Sequence, residues 1–419
     1  MTALVRRTGM LAAASLLGVG LVGVGAAPAF AVAVSDTATL NAAITANEAV
    51  LDITADFTLD AAIETIDYDV TINGNGHTID ADGFDAFDIE GSATVSDLTV
   101  VEADWEAFAL TLNQNTGSFT NVSASDAEYG ILAALEDGGS ITVTGGTFSE
   151  VANGIYLDDQ FGNATATVSG VTVLDADYGI SMGDAIGTSS LTVSDVHITD
   201  AFYGVYFYGE DTSSVAVSQS TIIAGPENND GGIGSGLGIG IVTTHYDEST
   251  ATIDAVTVSG SPAGFRFHTG CASRQYEDTS VVITNSTFTG NLQGVNVDVN
   301  PDMGAERASF ALLNSRVTHN LSFGIYFGNL AGTALIDQTT IDNNGGDPDP
   351  SVSATVLDEG TGGLTISRST VSNTVGARAV EIALVGAGSS ATIVNSTVSN
   401  NTTDNDSAIR VEGDVSDDQ

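Results

Sequence analysis

Lysine is absent from these 419 residues, and nine arginines face 54 acidic residues, a formal net charge of −45. A field this negative repels nucleic acid and anionic membrane surfaces, so neither is expected as a partner. Cysteine occurs once, at Cys271, which excludes an internal disulfide framework. A thiol nucleophile at Cys271, activated by His268, would need a third partner that the sequence does not supply. Neither a phosphate loop nor a dinucleotide fingerprint is present. Beyond the N-terminal segment no apolar run reads as a membrane span, and Gly413 to Gln419 carry no hydrophobic tail. The chain stops shortly after a repeat, without an obvious closing cap. What is present is 42% hydrophobic residues, dominated by Val, Ile, Leu and Ala, enough for a core held by burial and backbone hydrogen bonds.

The first residues have the order of an export signal. Arg6 and Arg7 precede an apolar run from Met10 to Gly25, and Ala29-Phe30-Ala31 forms a small-residue cleavage site. Residues 1–31 are therefore expected to be a cleaved secretory signal. No bulky apolar pair follows the arginines, which favours general secretion over twin-arginine export. Cleavage leaves seven arginines against 54 acids, a net charge of −47. The mature protein is expected to be secreted.

Periodicity carries most of the remaining information. One phrase, a β-rich triplet, a small polar residue and an apolar/Thr pair, recurs twelve times. Examples are Thr94-Val95-Ser96-Asp97-Leu98-Thr99 and Ile393-Val394-Asn395-Ser396-Thr397. Its last residue falls at 99, 123, 147, 172, 197, 221, 257, 287, 316, 340, 370 and 397, a step near 24 with longer units of up to 36 in the second half. A second phrase keeps step: Tyr129-Gly130-Ile131, Asn153-Gly154-Ile155, Tyr178-Gly179-Ile180, Tyr203-Gly204-Val205, Ile239-Gly240-Ile241, Ala263-Gly264-Phe265, Gln293-Gly294-Val295 and Phe323-Gly324-Ile325. Its glycine marks a bend that needs a positive φ or close backbone approach. Such units cannot bury an apolar face alone, but stacked they close a ladder and a continuous core. Twelve rungs at ~4.8 Å make a rod of roughly 60 Å. Thr37 to Asn47 reads as a short amphipathic helix covering the first rung, with strands at Leu51–Ile53 and Phe57–Leu59. The expected layout is a signal over 1–31, a cap with first strands over 32–66 and the solenoid over 67–419.

The opening Val70-Thr71-Ile72-Asn73-Gly74-Asn75-Gly76-His77-Thr78-Ile79-Asp80, with the helix before it and the two phrases after, resembles the right-handed parallel β-helix repeat family of the pectate-lyase-like superfamily. The resemblance covers roughly residues 36 to 414 and implies an all-β, right-handed parallel β-helix of about 12 coils with an N-terminal capping helix. It says little about function, since the family includes polysaccharide lyases, glycoside hydrolases, tailspikes and adhesins. The pectin-hydrolysing members' acidic clusters, Gly-His pair and Arg-x-Lys are not matched: Asp158-Asp159 stands alone and there is no lysine. A tailspike would need trimer-forming ends, which the sequence does not display.

Strand alternation gives the outward residues, taking the residue after each phrase glycine as inward. Outward positions are then Tyr156 and Asp158, Ser181, Tyr206 and Tyr208, Val242 and Thr244, Arg266 and His268, Asn296 and Asp298, and Tyr326. This face gathers scarce residue types. Tyr206, Tyr208, Arg266, Asn296 and Tyr326 are candidates for binding a saccharide, by ring stacking and by pairing Arg266 with a carboxylate. Arg266, His268 and Asp298 are candidates for proton chemistry. The plain structural alternative is an outward ladder with Arg266 paired to Asp298 in a surface salt bridge. The long units flank this place and would wall it. Asp80, Asp82 and Asp85, with Asp88, and the turn Asp347-Pro348-Asp349 offer hard oxygen ligands for calcium, although the EF-hand order and the glycine-rich calcium nonapeptide are missing. Otherwise no cofactor is expected. Asn-x-Ser/Thr sites at Asn121, Asn163, Asn285, Asn320, Asn395 and Asn401 suggest exposed turns. The expectation is a secreted or cell-surface interaction protein of the adhesin kind with an extracellular polysaccharide or surface component as partner. The alternative is a polysaccharide lyase or glycoside hydrolase.

Overall fold

The computed structural model describes residues 31–159, 162–210, 212–224, 236–245, 249–269, 279–298, 308–330, 332–346, 349–357, 362–376, 378–386, 388–403 and 407–414. The expected export signal and Cys271 lie outside them, as do most residues of the inserts expected to wall the face. Strand pairing along the solenoid is parallel throughout. The register reproduces the step of the first phrase: Thr99 pairs with Ser123, Thr147 with Thr172, Thr172 with His197, Thr221 with Thr257, Thr287 with Arg316 and Thr370 with Thr397. All β, with one short helix among the described residues, the chain is a parallel solenoid of about 12 coils.

The helix spans Thr37–Thr45. Asp36 caps it, accepting the Thr39 N–H at 2.8 Å while the Thr39 hydroxyl lies 3.2 Å from the Asp36 backbone N–H. Thr37, Leu40, Ala43 and Ile44 are buried, the spacing of one helical face, so the helix closes the open end of the first coil. The helix ends two residues earlier than the sequence pattern suggests, because Asn47 turns left-handed at φ 55°.

Alternate strand residues fill the interior. Phe87 stacks on Phe108 with centroids 5.5 Å apart, Phe119 meets Phe108 edge-on at 5.6 Å, and Phe265 meets Phe288 at 6.4 Å. Fully burying each such ring contributes about 1.5–3 kcal/mol. Each coil turns at a left-handed residue two places before the end of its phrase, from Asp97 to Asn395, with φ between 48° and 69°. Asn, Asp and Gly dominate there because they tolerate this conformation. A second left-handed residue follows three places after the phrase in eleven of the twelve coils, for example Asp175 (φ 56°) and Asn343 (φ 59°).

The glycines of the second phrase have ordinary φ; close approach is what requires them. A Cβ on Gly179 would lie 2.5 Å from the Gly204 carbonyl oxygen, and one on Gly294 2.5 Å from that of Gly324. The same contact repeats along the column, so each coil rests its backbone on the glycine of the next. One assignment needs correction. Tyr203 pairs with Leu237, so the phrase in that coil is Leu237-Gly238-Ile239 rather than Ile239-Gly240-Ile241. The slip is two residues, which preserves the facing: the outward positions of this coil are Gly240 and Val242, not Val242 and Thr244.

The candidate sugar-acceptor turns also divide. Asn121, Asn163, Asn285 and Asn395 are exposed, but Asn320 is 2% exposed and Asn401 is half-buried. Asn320 belongs to an internal ladder: the Asn291 amide donates to its Oδ1 at 3.1 Å, and its own amide donates to Asn344 Oδ1 at 2.8 Å. That role explains its burial.

Candidate functional site: an outward column with an unpaired arginine

One face of the solenoid stacks Tyr156, Ser181, Tyr206, Gly240, Arg266, Asn296 and Tyr326 in register. The inward neighbours Ile155, Ile180, Val205, Phe265, Val295 and Ile325 are each 0% exposed, which fixes the facing. Outward does not mean open. Ser181 is 1% exposed between Tyr156 and Tyr206, and Asn296 is 7% exposed.

Arg266 is half-buried, and its Nε makes no hydrogen bond. No ion pair to Arg266 occurs among the described residues. The Arg266–Asp298 salt bridge is therefore not formed, because the register sets Asn296 beside Arg266 and Asp298 beside His268. Gly240, one rung before Arg266, is closely packed: a Cβ there would sit 2.6 Å from Leu237 Cδ1 and 3.2 Å from the Tyr206 ring. A recess of about 20 Å³, room for one water-sized group, is lined by Leu237, Pro262, Ala263, Arg266, Gln293 and Asn296. The Asn296 amide donates to Gln293 Oε1 at 2.6 Å, while Asn296 Oδ1 is buried without a partner.

His268 Nδ1 lies 3.9 Å from Asp298 Oδ2, too far for a hydrogen bond, and is itself buried and unpartnered. Burial lowers the His268 pKa, the Arg266 charge lowers it further and Asp298 opposes both, so the imidazole is neutral near pH 7. Gly328 makes space for two groups at once: a Cβ there would fall 2.7 Å from Asp298 Oδ1 and 3.3 Å from the Tyr326 hydroxyl. Burial, and then the Asp298 charge, raise the Tyr326 pKa. A neutral imidazole, a carboxylate and a protonated phenol thus meet beside a guanidinium. That set can hold a carboxylate and move a proton.

The proposed metal ligands are not brought together. Asp80 Oδ1 accepts the Asp82 N–H at 3.0 Å, and Asp85 Oδ1 accepts the Trp105 N–H at 3.1 Å. Asp88 Oδ2 accepts the Thr65 hydroxyl at 2.8 Å and Asp349 Oδ2 that of Ser322 at 2.5 Å; Asp347 lies outside the described residues. Among the described residues no three His, Cys, Asp or Glu side chains converge to hold a metal ion.

Around the outward Tyr156 and Tyr206 lies an aromatic cluster whose other members, Trp105, Tyr129, Tyr178 and Tyr203, strand alternation does not assign to this face. Trp105 meets Tyr129 at 6.0 Å, Tyr129 meets Tyr156 at 5.7 Å, and Tyr178 stacks on Tyr203 at 4.6 Å with 14° between planes. Tyr206 sits edge-on to both Tyr178 and Tyr203. Burial, then the neighbouring phenols, push Tyr206 up to about 12. Strand alternation could not place Tyr129, Tyr178 and Tyr203 here: each lies two places before an inward residue, across a phrase glycine, and the bend at that glycine leaves it half-buried rather than in the core. Glu106 borders the same cluster. Burial, with Asp85 and Asp88 nearby, raises its carboxyl to about 7.

Among known proteins, the family described as right handed beta helix region matches residues 67–222 and 237–416. No curated protein matches the chain. Similar solved structures include the A-module of Azotobacter vinelandii mannuronan C-5 epimerase AlgE6, 15% identical over 89% of this chain and 96% of that one, with a TM-score of 0.40. The Agl-KA catalytic domain is 11% identical over 90% of this chain and 64% of its own, with a TM-score of 0.39. The Dettilon tailspike protein gp208 is 12% identical over 85% and 64%, with a TM-score of 0.33. The fold and the matched residues together place this chain in the right-handed β-helix family.

Proposed function

We propose that the Arg266 face recognises an extracellular polysaccharide, with Arg266 taking a sugar carboxylate. The observation that supports this reading is the unpaired, buried Nε of Arg266 in a chain of net charge −45. Among the described residues Arg368, Arg378 and Arg410 each pair with a carboxylate, and Arg266 does not. A guanidinium whose Nε has no partner, close enough to Tyr203 for its charge to act on that phenol, suits a uronate. The adhesin-like reading follows if binding is not accompanied by turnover.

The catalytic reading, a lyase or hydrolase, has its own support in the neutral His268 near Asp298 and Tyr326. The experiment is a titration of the secreted protein against uronate-containing and neutral polysaccharides, with and without Ca²⁺, alongside an assay for new reducing or unsaturated ends. Uronate binding that weakens about tenfold to a hundredfold in Arg266→Ala supports the site. Uronate binding unchanged by that substitution sinks it. New chain ends that vanish in His268→Ala select the enzyme over the adhesin, and a calcium requirement would reopen the search for ligands.

A further inference from the structure

The aromatic cluster and the arginine site lie on one continuous face. Glu106, next to the exposed Trp105, pairs with Tyr129, Tyr129 with Asn153, Asn153 with Tyr178, Tyr178 with Tyr203, and Tyr203 with Leu237. Leu237 lines the same recess as Arg266. Every tyrosine in this run is half-buried. Trp105, at 50% exposure, ends it.

The charge around the run changes along its length. Acidic groups act on the tyrosines at the Trp105 end: Glu128 and Glu106 on Tyr129, Asp158 and Asp184 on Tyr156, Asp177 on Tyr178. Tyr203 instead feels the cation of Arg266. A sugar carboxylate is repelled from the first stretch and attracted to the last. Uncharged sugar rings suit the first stretch, where the exposed Trp105 ring and the accessible parts of the half-buried tyrosines offer apolar contact and carboxylates accept from hydroxyls.

We infer that the face from Trp105 to Arg266 is a single track for a long, linear polysaccharide, with uncharged sugar residues over Trp105, Tyr129, Tyr178 and Tyr203 and a carboxylate-bearing residue at Arg266. This rests on the polysaccharide reading above and adds length and direction to it. Six rungs at ~4.8 Å separate the Trp105 and Arg266 coils, roughly 29 Å, more than a disaccharide spans. Each rung is about as long as one sugar residue, so successive rings can meet successive coils.

Trp105 is the one tryptophan of the chain, so its fluorescence reports the far end of the track alone. The probes are short and long members of three series: oligogalacturonates, cello-oligosaccharides and hyaluronan oligosaccharides, the last alternating uronate with uncharged residues. Calorimetry on wild type and Arg266→Ala reads the near end; Trp105 emission reads the far end. The track predicts that a long hyaluronan oligomer binds in an Arg266-dependent way and shifts Trp105 emission. A disaccharide should bind at Arg266 and leave the emission unchanged. Trp105→Ala, a change at an exposed position, should weaken the long oligomer about tenfold and leave the disaccharide unaffected. Arg266-dependent binding of long and short oligomers with equal affinity and silent Trp105 overturns the track and leaves the arginine site standing. The absence of any Arg266-dependent binding overturns both.

Discussion

The two halves of the solenoid turn the same corner by different means. Four places after each phrase, just past the second left-handed residue, the first half carries Ala103, Ala127, Val151, Ala176 and Ala201, while the second half carries Ser261, Asn291, Asn320, Asn344, Thr374 and Asn401. In the first half, strands such as Thr172–Ala185 and His197–Glu210 run through the corner, and Ala176 pairs with Ala201 in the ladder. Backbone hydrogen bonds go to backbone, and a small apolar residue fills the inside. In the second half the strand breaks, as between Thr287–Thr289 and Gln293–Asp298. There the side chains substitute: Asn320 Oδ1 accepts the Asn291 N–H at 3.0 Å, and its amide donates to the Phe288 carbonyl at 3.2 Å. A corner is closed by strand in one half and by side-chain amide in the other, but the buried polar groups must be paired either way.

The comparison is broken most severely at that amide. Asn320→Ala removes the acceptor of the Asn291 N–H and side-chain amide and one donor to the Phe288 carbonyl, and we expect a loss of about 2–5 kcal/mol in urea unfolding. The glycine column, shared by both halves, tests what they have in common. Gly179→Ala and Gly294→Ala should each cost about 1–3 kcal/mol, and similarly, since each Cβ would meet a carbonyl at 2.5 Å.

Two smaller effects are read by pH, one in each half. In the second half Arg368, then Ser367, hold the Asp337 carboxyl at about 2. A depressed carboxylate stabilises above its ordinary range, and that contribution is lost as pH falls from about 4 to 2. Arg368→Gln should therefore bring acid unfolding to higher pH. In the first half Glu106 is raised to about 7. The sign reverses: its neutral form is favoured in the fold, so stability is present below about 4.5 and declines as pH rises to 7. Glu106→Gln should flatten that decline and remove a titration near pH 7 from Trp105 emission.

How much of this was legible follows from the same corner. The first phrase could be counted because its apolar and Thr residues recur whatever the coil length, and each step of the count became a strand pairing. The corner residues could not be found that way, since Ala in one half and Asn in the other share no chemistry. Leu237-Gly238-Ile239 was misread because Gly238 and Gly240 offer two glycines at the same parity. Arg266, His268, Asn296 and Asp298 were placed on one face by alternation alone. Their pairing was not, because whether Arg266 reaches Asp298 depends on which residue the register sets beside it. Exposure was equally hidden: in a stack, the size of the neighbours above and below decides whether an outward Ser181 meets solvent.

The central claim is that Arg266 is kept free for an anionic sugar. The most direct measurement is calorimetric titration of uronate oligosaccharides into the wild type and Arg266→Ala, with the fold of both checked by circular dichroism. Binding that is present in the wild type and lost in a folded Arg266→Ala is the predicted result. Equal binding by both, or none by either, would contradict it.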